Sequence, residues 1–184
     1  MRNSAALRFI THTALGIALV LLAQLAGRVF PAGAVILGPL SLSQLITGSL
    51  VNCVLFVFAA LSGPLVGIVI GFCSAVLAFM LGIGPALIQL VPLIAYGNAL
   101  LALLFGLAAK KDKPLGLAMP VSAAAKCAFL WLLVPVVLST LAQLPEKKAA
   151  LMSAMFSWPQ GVTALIGGLL AIVIIPRLKK ARSN

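Results

Sequence analysis

The chain has 184 residues, of which 63% are hydrophobic and only 8% charged, with a formal net charge of +11. A soluble domain carries about 25% charged residues, so this composition excludes a water-dressed globular surface and points to lipid as the solvent. Apolar runs such as residues 51–60, broken only by Asn52, and 164–175 show no alternation, whereas a membrane β-barrel alternates apolar and polar residues in segments of about ten, so the spans read as helices.

A membrane-spanning helix needs roughly 20 mostly apolar residues, and six such spans fit the chain. The first is expected over residues 5–26, behind Arg2 and Arg8. A signal peptide has a similar basic start but an apolar core of only about 7–15 residues. The stretch here is longer and Ala32-Gly33-Ala34 is its one cleavage-like site, so the segment is kept as a helix. Residues 28–43, punctuated by Pro31, Gly33, Gly38 and Pro39, are expected to form a loop folded back on the bundle. The second span covers 44–61, and Ser62-Gly63-Pro64 turns it into a third over 65–81. A turn at 82–85 leads to the fourth, 86–109, which ends at Lys110-Lys111-Asp112-Lys113-Pro114. The fifth is expected over 118–141, and a loop around Pro145-Glu146-Lys147-Lys148 precedes the sixth, 151–175. The expected fold is therefore an all-α membrane protein, a single domain over residues 1–184 built as a bundle of six transmembrane helices.

Loop charge gives an orientation. One face receives Arg2, Arg8, Lys110, Lys111, Lys113, Arg177, Lys179, Lys180 and Arg182, and the other only Arg28, Lys147 and Lys148. Cationic loops stay on the cytoplasmic side, so both termini are expected there, in a multi-pass protein of the cell membrane. Because the basic residues flank spans, they face lipid headgroups, and no nucleic-acid partner is expected.

The acidic residues are informative by their scarcity. Asp112 and Glu146 are the only two, and both lie in loops. Proton- and sodium-driven carriers rely on carboxylates within the membrane, and no phosphate-binding loop ending in Lys-Ser or Lys-Thr is present. Uphill transport by this chain would therefore draw its energy from another subunit. His12 is the single histidine and has no carboxylate to pair with, so neither a catalytic triad nor a metal cluster can be assembled. Cys53, Cys73 and Cys127 sit inside apolar runs without zinc-site spacing and read as small buried hydrophobes. No enzymatic activity, metal or cofactor is expected.

Lys126 stands eight residues into the fifth span, among alanines. An ammonium at that depth is costly and marks a functional hypothesis by default. Its alternative is snorkelling, but about 12 Å separates it from the helix end and a lysine stem covers about half of that. Helical rise puts Asn98, Gln160 and Thr163 at comparable depths, so Asn98, Lys126 and Gln160 are expected to converge on one cavity. Tyr96, Trp131 and Trp158 are candidates for its walls, or else anchors at the membrane interface. Asn52 and Gln89 read as weaker candidates that join helices by hydrogen bonding. In the first helix, Ala14 and Ala18 stand four apart around Gly16, a spacing that lets another helix approach closely.

Four segments carry a resemblance. They are Ala14-Leu15-Gly16-Ile17-Ala18, the hairpin Gly63-Pro64-Leu65-Val66-Gly67, and Ala95-Tyr96-Gly97-Asn98-Ala99-Leu100 with Ala125-Lys126 beyond the basic loop. The last is Trp158-Pro159-Gln160-Gly161-Val162-Thr163-Ala164-Leu165-Ile166-Gly167-Gly168. In this order and placement the chain resembles the S components of energy-coupling factor (ECF) transporters. The resemblance implies a high-affinity substrate-binding membrane subunit of an ATP-driven importer for a vitamin or related micronutrient. It further implies a membrane coupling subunit and two ATPase subunits as partners, with Ala14 and Ala18 meeting the coupling subunit. The substrate would sit among Asn98, Lys126, Gln160 and their neighbours. Lys126 suits a carboxylate or phosphate, or is structural. The rival expectations are a self-sufficient small-solute facilitator or channel and a non-catalytic structural membrane subunit.

Overall fold

The computed structural model describes residues 2–31, 34–83 and 87–183. Part of the cleavage-like tripeptide, Ala32-Gly33, and part of the turn at 82–85, Gly84-Pro85, lie outside the described residues. The long helices are α1 (Arg2–Gly27), α2 (Leu42–Ser62), α3 (Pro64–Met80), α4 (Val91–Lys110), α5 (Leu115–Thr140) and α7 (Trp158–Ser183), with a short α6 (Glu146–Met155) before the last. Five helical segments are long and apolar enough to cross a membrane, and α3 is a shorter apolar sixth. The bundle of six helices expected from hydropathy is present, and the chain is a multi-pass membrane protein.

Local chemistry explains where each helix starts and stops. The loop after α1 holds a small antiparallel pair, β1 (Val35–Leu37) and β2 (Leu40–Ser41), folded around Gly38. Ser41 then caps α2, its hydroxyl accepting from the Gln44 N–H at 3.2 Å. Gly63 takes φ +99° between α2 and α3, a conformation open mainly to glycine, and Pro64 opens α3. The expected start of the fourth span, Ala86, lies outside the described residues; α4 begins at Val91, after a single 3-10 turn (Ile88–Leu90) and with a proline in its first turn. The fifth begins at Leu115, immediately after Pro114.

The sixth expected span, 151–175, is corrected most. Its first residues belong to α6, which ends at Met155, and a separate α7 starts at Trp158. Pro159 has no N–H to continue the ladder from α6, so the chain breaks at Phe156 and restarts. None of α6 is buried, so it lies outside the bundle proper.

The packing fixes relative directions. α2 is the central helix, packed on α1, α3, α4 and α7. A Cβ on Gly48 would meet Thr163, and one on Gly167 would meet Asn52, so α2 and α7 run in the same direction. Ser4, Arg8 and His12 of α1 share a groove with Ser62, and Gly106 of α4 abuts Pro64. The start of α1, the α2–α3 turn and the ends of α4 and α7 thus share one end of the bundle. That end carries Arg8, Lys110, Lys111, Lys113, Arg177, Lys179 and Lys180, while Arg28, Lys147 and Lys148 mark the other.

Two apolar clusters fill the interior. The larger lies toward the basic end and includes Phe56 and Phe105, packed edge to face at 4.6 Å between centroids. The smaller, Leu90, Leu130, Val134, Leu138 and Phe156, lies toward the opposite end. Gly167 is where α7 touches α2, and a Cβ there would collide with the Ser49 carbonyl oxygen. That neighbour is backbone and cannot step aside. Gly167→Ala should lower stability by about 1–3 kcal/mol, read as thermal unfolding in detergent. Gly116→Ala, where a Cβ meets nothing within 4 Å, should match or exceed the parent.

Candidate functional site

Between the two apolar clusters lies a polar layer to which six helices each contribute. The buried face of α5 reads Met119, Ala123, Lys126, Leu130, Val134 and Leu138, a three-to-four spacing that turns one stripe inward. Lys126 is in that stripe and is only 4% exposed. Its Nζ donates to Asn52 Oδ1 at 2.7 Å, so the side chain is held in the interior and does not snorkel. Asn52 Nδ2 in turn donates to Thr163 Oγ1 at 3.4 Å, and the Thr163 hydroxyl donates to the Gln160 carbonyl at 3.1 Å. This chain of bonds ties α5, α2 and α7.

A second chain ties the other three helices. Gln24 Nε2 of α1 donates to the Ser74 carbonyl of α3 at 2.7 Å. Asn98 Nδ2 of α4 donates to the Ser74 hydroxyl at 2.8 Å, and that hydroxyl donates to the Gly71 carbonyl at 2.7 Å. Gly71 makes this possible, since any Cβ there would meet the Asn98 backbone at 3.1 Å. Buried polar groups are retained where they are bonded, and here the bonding joins helices far apart in sequence.

The two chains border a cavity of about 400 Å³, within the size range of small-molecule sites. Gln24, Gln44, Asn52, Asn98, Lys126 and Gln160 are among its polar lining residues. Met152, Met155 and Phe156, from α6 and the break after it, supply its apolar cover. Gln44 Nε2 and Gln160 Nε2 both donate to the Met155 carbonyl, at 3.0 and 3.4 Å, and so hold the end of α6 against the cavity. A surface groove of about 450 Å³ between α1 and the α2–α3 turn, lined by Ser4, Arg8 and His12, contains none of the polar-layer residues.

Of the residues singled out from sequence, Asn98, Lys126 and Gln160 line this one cavity. Thr163 is buried behind it, bonded to Asn52. Tyr96, Trp131 and Trp158 do not wall it. Tyr96 is exposed and packs its ring on Phe72 at 5.2 Å, Trp131 is exposed, and Trp158 lies near Gly38. The reason is rotational. At about 100° per residue, Tyr96 points roughly opposite to Asn98, Trp158 roughly opposite to Gln160, and Trp131 well away from Lys126. Ala14 and Ala18 are exposed on the outer side of α1. Asn52, read as a helix-joining residue, is the direct partner of Lys126 and lines the cavity as well. Gln24 and Gln44 were not singled out, though Gln44, Thr47, Gly48, Val51 and Asn52 form one helical stripe along the cavity, and that spacing is visible in the sequence.

Two outcomes follow from these contacts. Removing the acceptor with Asn52→Ala should destabilise the protein by about 1.5–3 kcal/mol, the range for a hydrogen bond to a charged group. Adding Lys126→Met should recover part of that loss, which a double-mutant cycle of thermal unfolding measures. Gln44→Ala combined with Gln160→Ala should release α6, seen as faster amide exchange over residues 146–156 while α2 and α4 keep their protection. Compared with known protein families, curated proteins and solved structures, the chain matches none.

Proposed function

We propose that the chain is the substrate-binding subunit of an ECF-type importer, capturing a small micronutrient from outside the cell membrane. The observation that carries this reading is the partly covered cavity of about 400 Å³ that Lys126, bonded to Asn52, lines together with the amides of Asn98 and Gln160. A cavity with convergent polar groups and a partial apolar cover is how small-molecule binding sites are built. Basic loops stay cytoplasmic, so the basic end faces the cytoplasm, both termini lie there, and the cavity lies toward the external end.

The remaining features fit the same role. The two carboxylates of the chain, Asp112 and Glu146, stand at the ends of the bundle and not within it. Coupling to an ion gradient through an intramembrane carboxylate therefore has no residue to use, and ATPase partners would supply the energy. Ala14 and Ala18, small and outward-facing on α1, provide the smooth surface that a coupling subunit's helix would pack on. The chain is read as non-enzymatic, binding without chemistry.

The test is a thermal-shift screen of the purified protein in detergent against vitamins, their precursors, nucleobases and short organic acids. A compound at 100 times its dissociation constant should stabilise by about 2.7 kcal/mol. Asn98→Ala should abolish that shift. Vesicles holding the chain alone should retain binding but show no uptake. Uptake without any ATPase would mean a self-sufficient facilitator, and no stabiliser across the panel would favour a structural subunit.

A further inference from the structure

The cavity specifies the chemistry of its occupant at two ends. At the deep end, Lys126 has Asn52 Oδ1 as its one acceptor among the described residues. An ammonium has three donors, so its hydrogen-bonding capacity is not met by the protein. Neither Asp112 nor Glu146 lies near it in the chain or in the fold, one being in the α4–α5 loop and the other at the start of α6. The remaining donor capacity at this depth is left for an occupant to meet.

Toward the opposite end the demand is reversed. Gln24 is 2% exposed, and its amide orientation is dictated by its partner: Nε2 must face the Ser74 carbonyl, because a carbonyl only accepts. Its Oε1 is therefore an acceptor, and it is buried with no partner. Gln44 repeats the logic. Its Nε2 is committed to the Met155 carbonyl, and its Oε1 is likewise buried and unpartnered. Thr47 Oγ1, one turn along the same stripe, is unpartnered too. All three residues belong to the cavity lining. Buried acceptors without donors are costly, and two such amides in one cavity mark where donors belong.

Taking the binding-subunit reading as its basis, we infer that the cavity selects a monocarboxylic acid bearing N–H or O–H donors remote from the acid group. The carboxylate is received by Lys126 beside Asn52, and the donors by Gln24 Oε1 and Gln44 Oε1. Along α2, Gln44 and Asn52 are eight residues apart, about 12 Å by helical rise, which sets the order of length of the molecule. A carboxylate is favoured over a phosphate monoester by charge. One ammonium balances one negative charge, whereas a phosphate monoester carries about −1.5 to −2 at neutral pH.

The test begins with protein purified in detergent from membranes of cells grown in rich medium. Compounds released on denaturation are profiled by mass spectrometry against membranes lacking the chain. A carboxylic acid with amide, ureide or hydroxyl donors is expected to be enriched with the parent protein and absent from Lys126→Met. The same acid, added back in pure form, should bind at least about 100-fold more tightly than its primary amide, the loss expected when a buried charge loses its partner. This comparison uses the parent protein and so does not depend on the variant folding. Gln24→Leu should weaken the acid and its amide alike. Enrichment of a neutral, cationic or phosphorylated compound, or equal affinity for acid and amide, overturns the inference and leaves the binding-subunit reading standing. If no compound is released and none in the thermal-shift panel stabilises the protein, both fall together.

Discussion

The hydrogen bond from Lys126 to Asn52 is the interaction around which the rest of the bundle is arranged. An amine at membrane depth is tolerated when it faces the bundle interior and finds a partner, and both conditions are met by the inward stripe of α5 and by the central helix α2. Asn52 can serve because its other side, the Nδ2, is taken by Thr163, which fixes the amide with its oxygen toward the lysine. The position of α7 then follows, since Gly167, one turn beyond Thr163, lets α7 lie directly on the α2 backbone. A single polar requirement thus sets the relation of three helices. Hydrophobicity alone would not do so, because lipid tails are as apolar as the helix surfaces they compete with.

The second polar chain does for α1, α3 and α4 what the first does for α5, α2 and α7. Gln24, Ser74 and Asn98 are each buried and joined by bonds of 2.7 and 2.8 Å. Neither chain is complete within itself. The amide oxygens of Gln24 and Gln44 are left over, as is part of the donor capacity of Lys126. A bundle selected only for stability would have either satisfied these groups or replaced them by leucine. In the proposed binding role, these are the groups that an occupant would complete.

Much of this was legible in the residue string, and the reasons are specific. Spans and turns were visible because lipid imposes a length on apolar runs and because Gly63-Pro64 and Lys110–Pro114 punctuate them sharply. The break at Phe156 was not, since 151–175 contains one proline near its start and a proline there equally opens a helix. Asn98, Lys126 and Gln160 could be matched by depth, because helical rise converts sequence position into height. Tyr96, Trp131 and Trp158 show the limit of that conversion. Depth says nothing of azimuth, and each of the three has the right height on the wrong face. Gln24 and Gln44 stand at the ends of the expected spans 5–26 and 44–61, where a search for polar residues at membrane depth does not look.

The arrangement also bears on how a solute reaches the cavity. The end toward the basic loops is sealed by the larger apolar cluster, with Phe56 and Phe105 fully buried. At the other end the cover is α6, a helix with no buried residue and a break on its C-terminal side. Two glutamine amides hold that cover at a single carbonyl, Met155, and hydrogen bonds of this kind contribute about 0.5–1.5 kcal/mol each. Opening the covered end would part these bonds and the packing of Ala149 and Met152 on the smaller cluster, whereas the other end is closed by fully buried aromatics. Because Gln44 and Gln160 both latch α6 and line the cavity, an occupant that bonds to either one changes how firmly the cover is held. In the proposed binding role, capture and closure would be linked through the same two side chains.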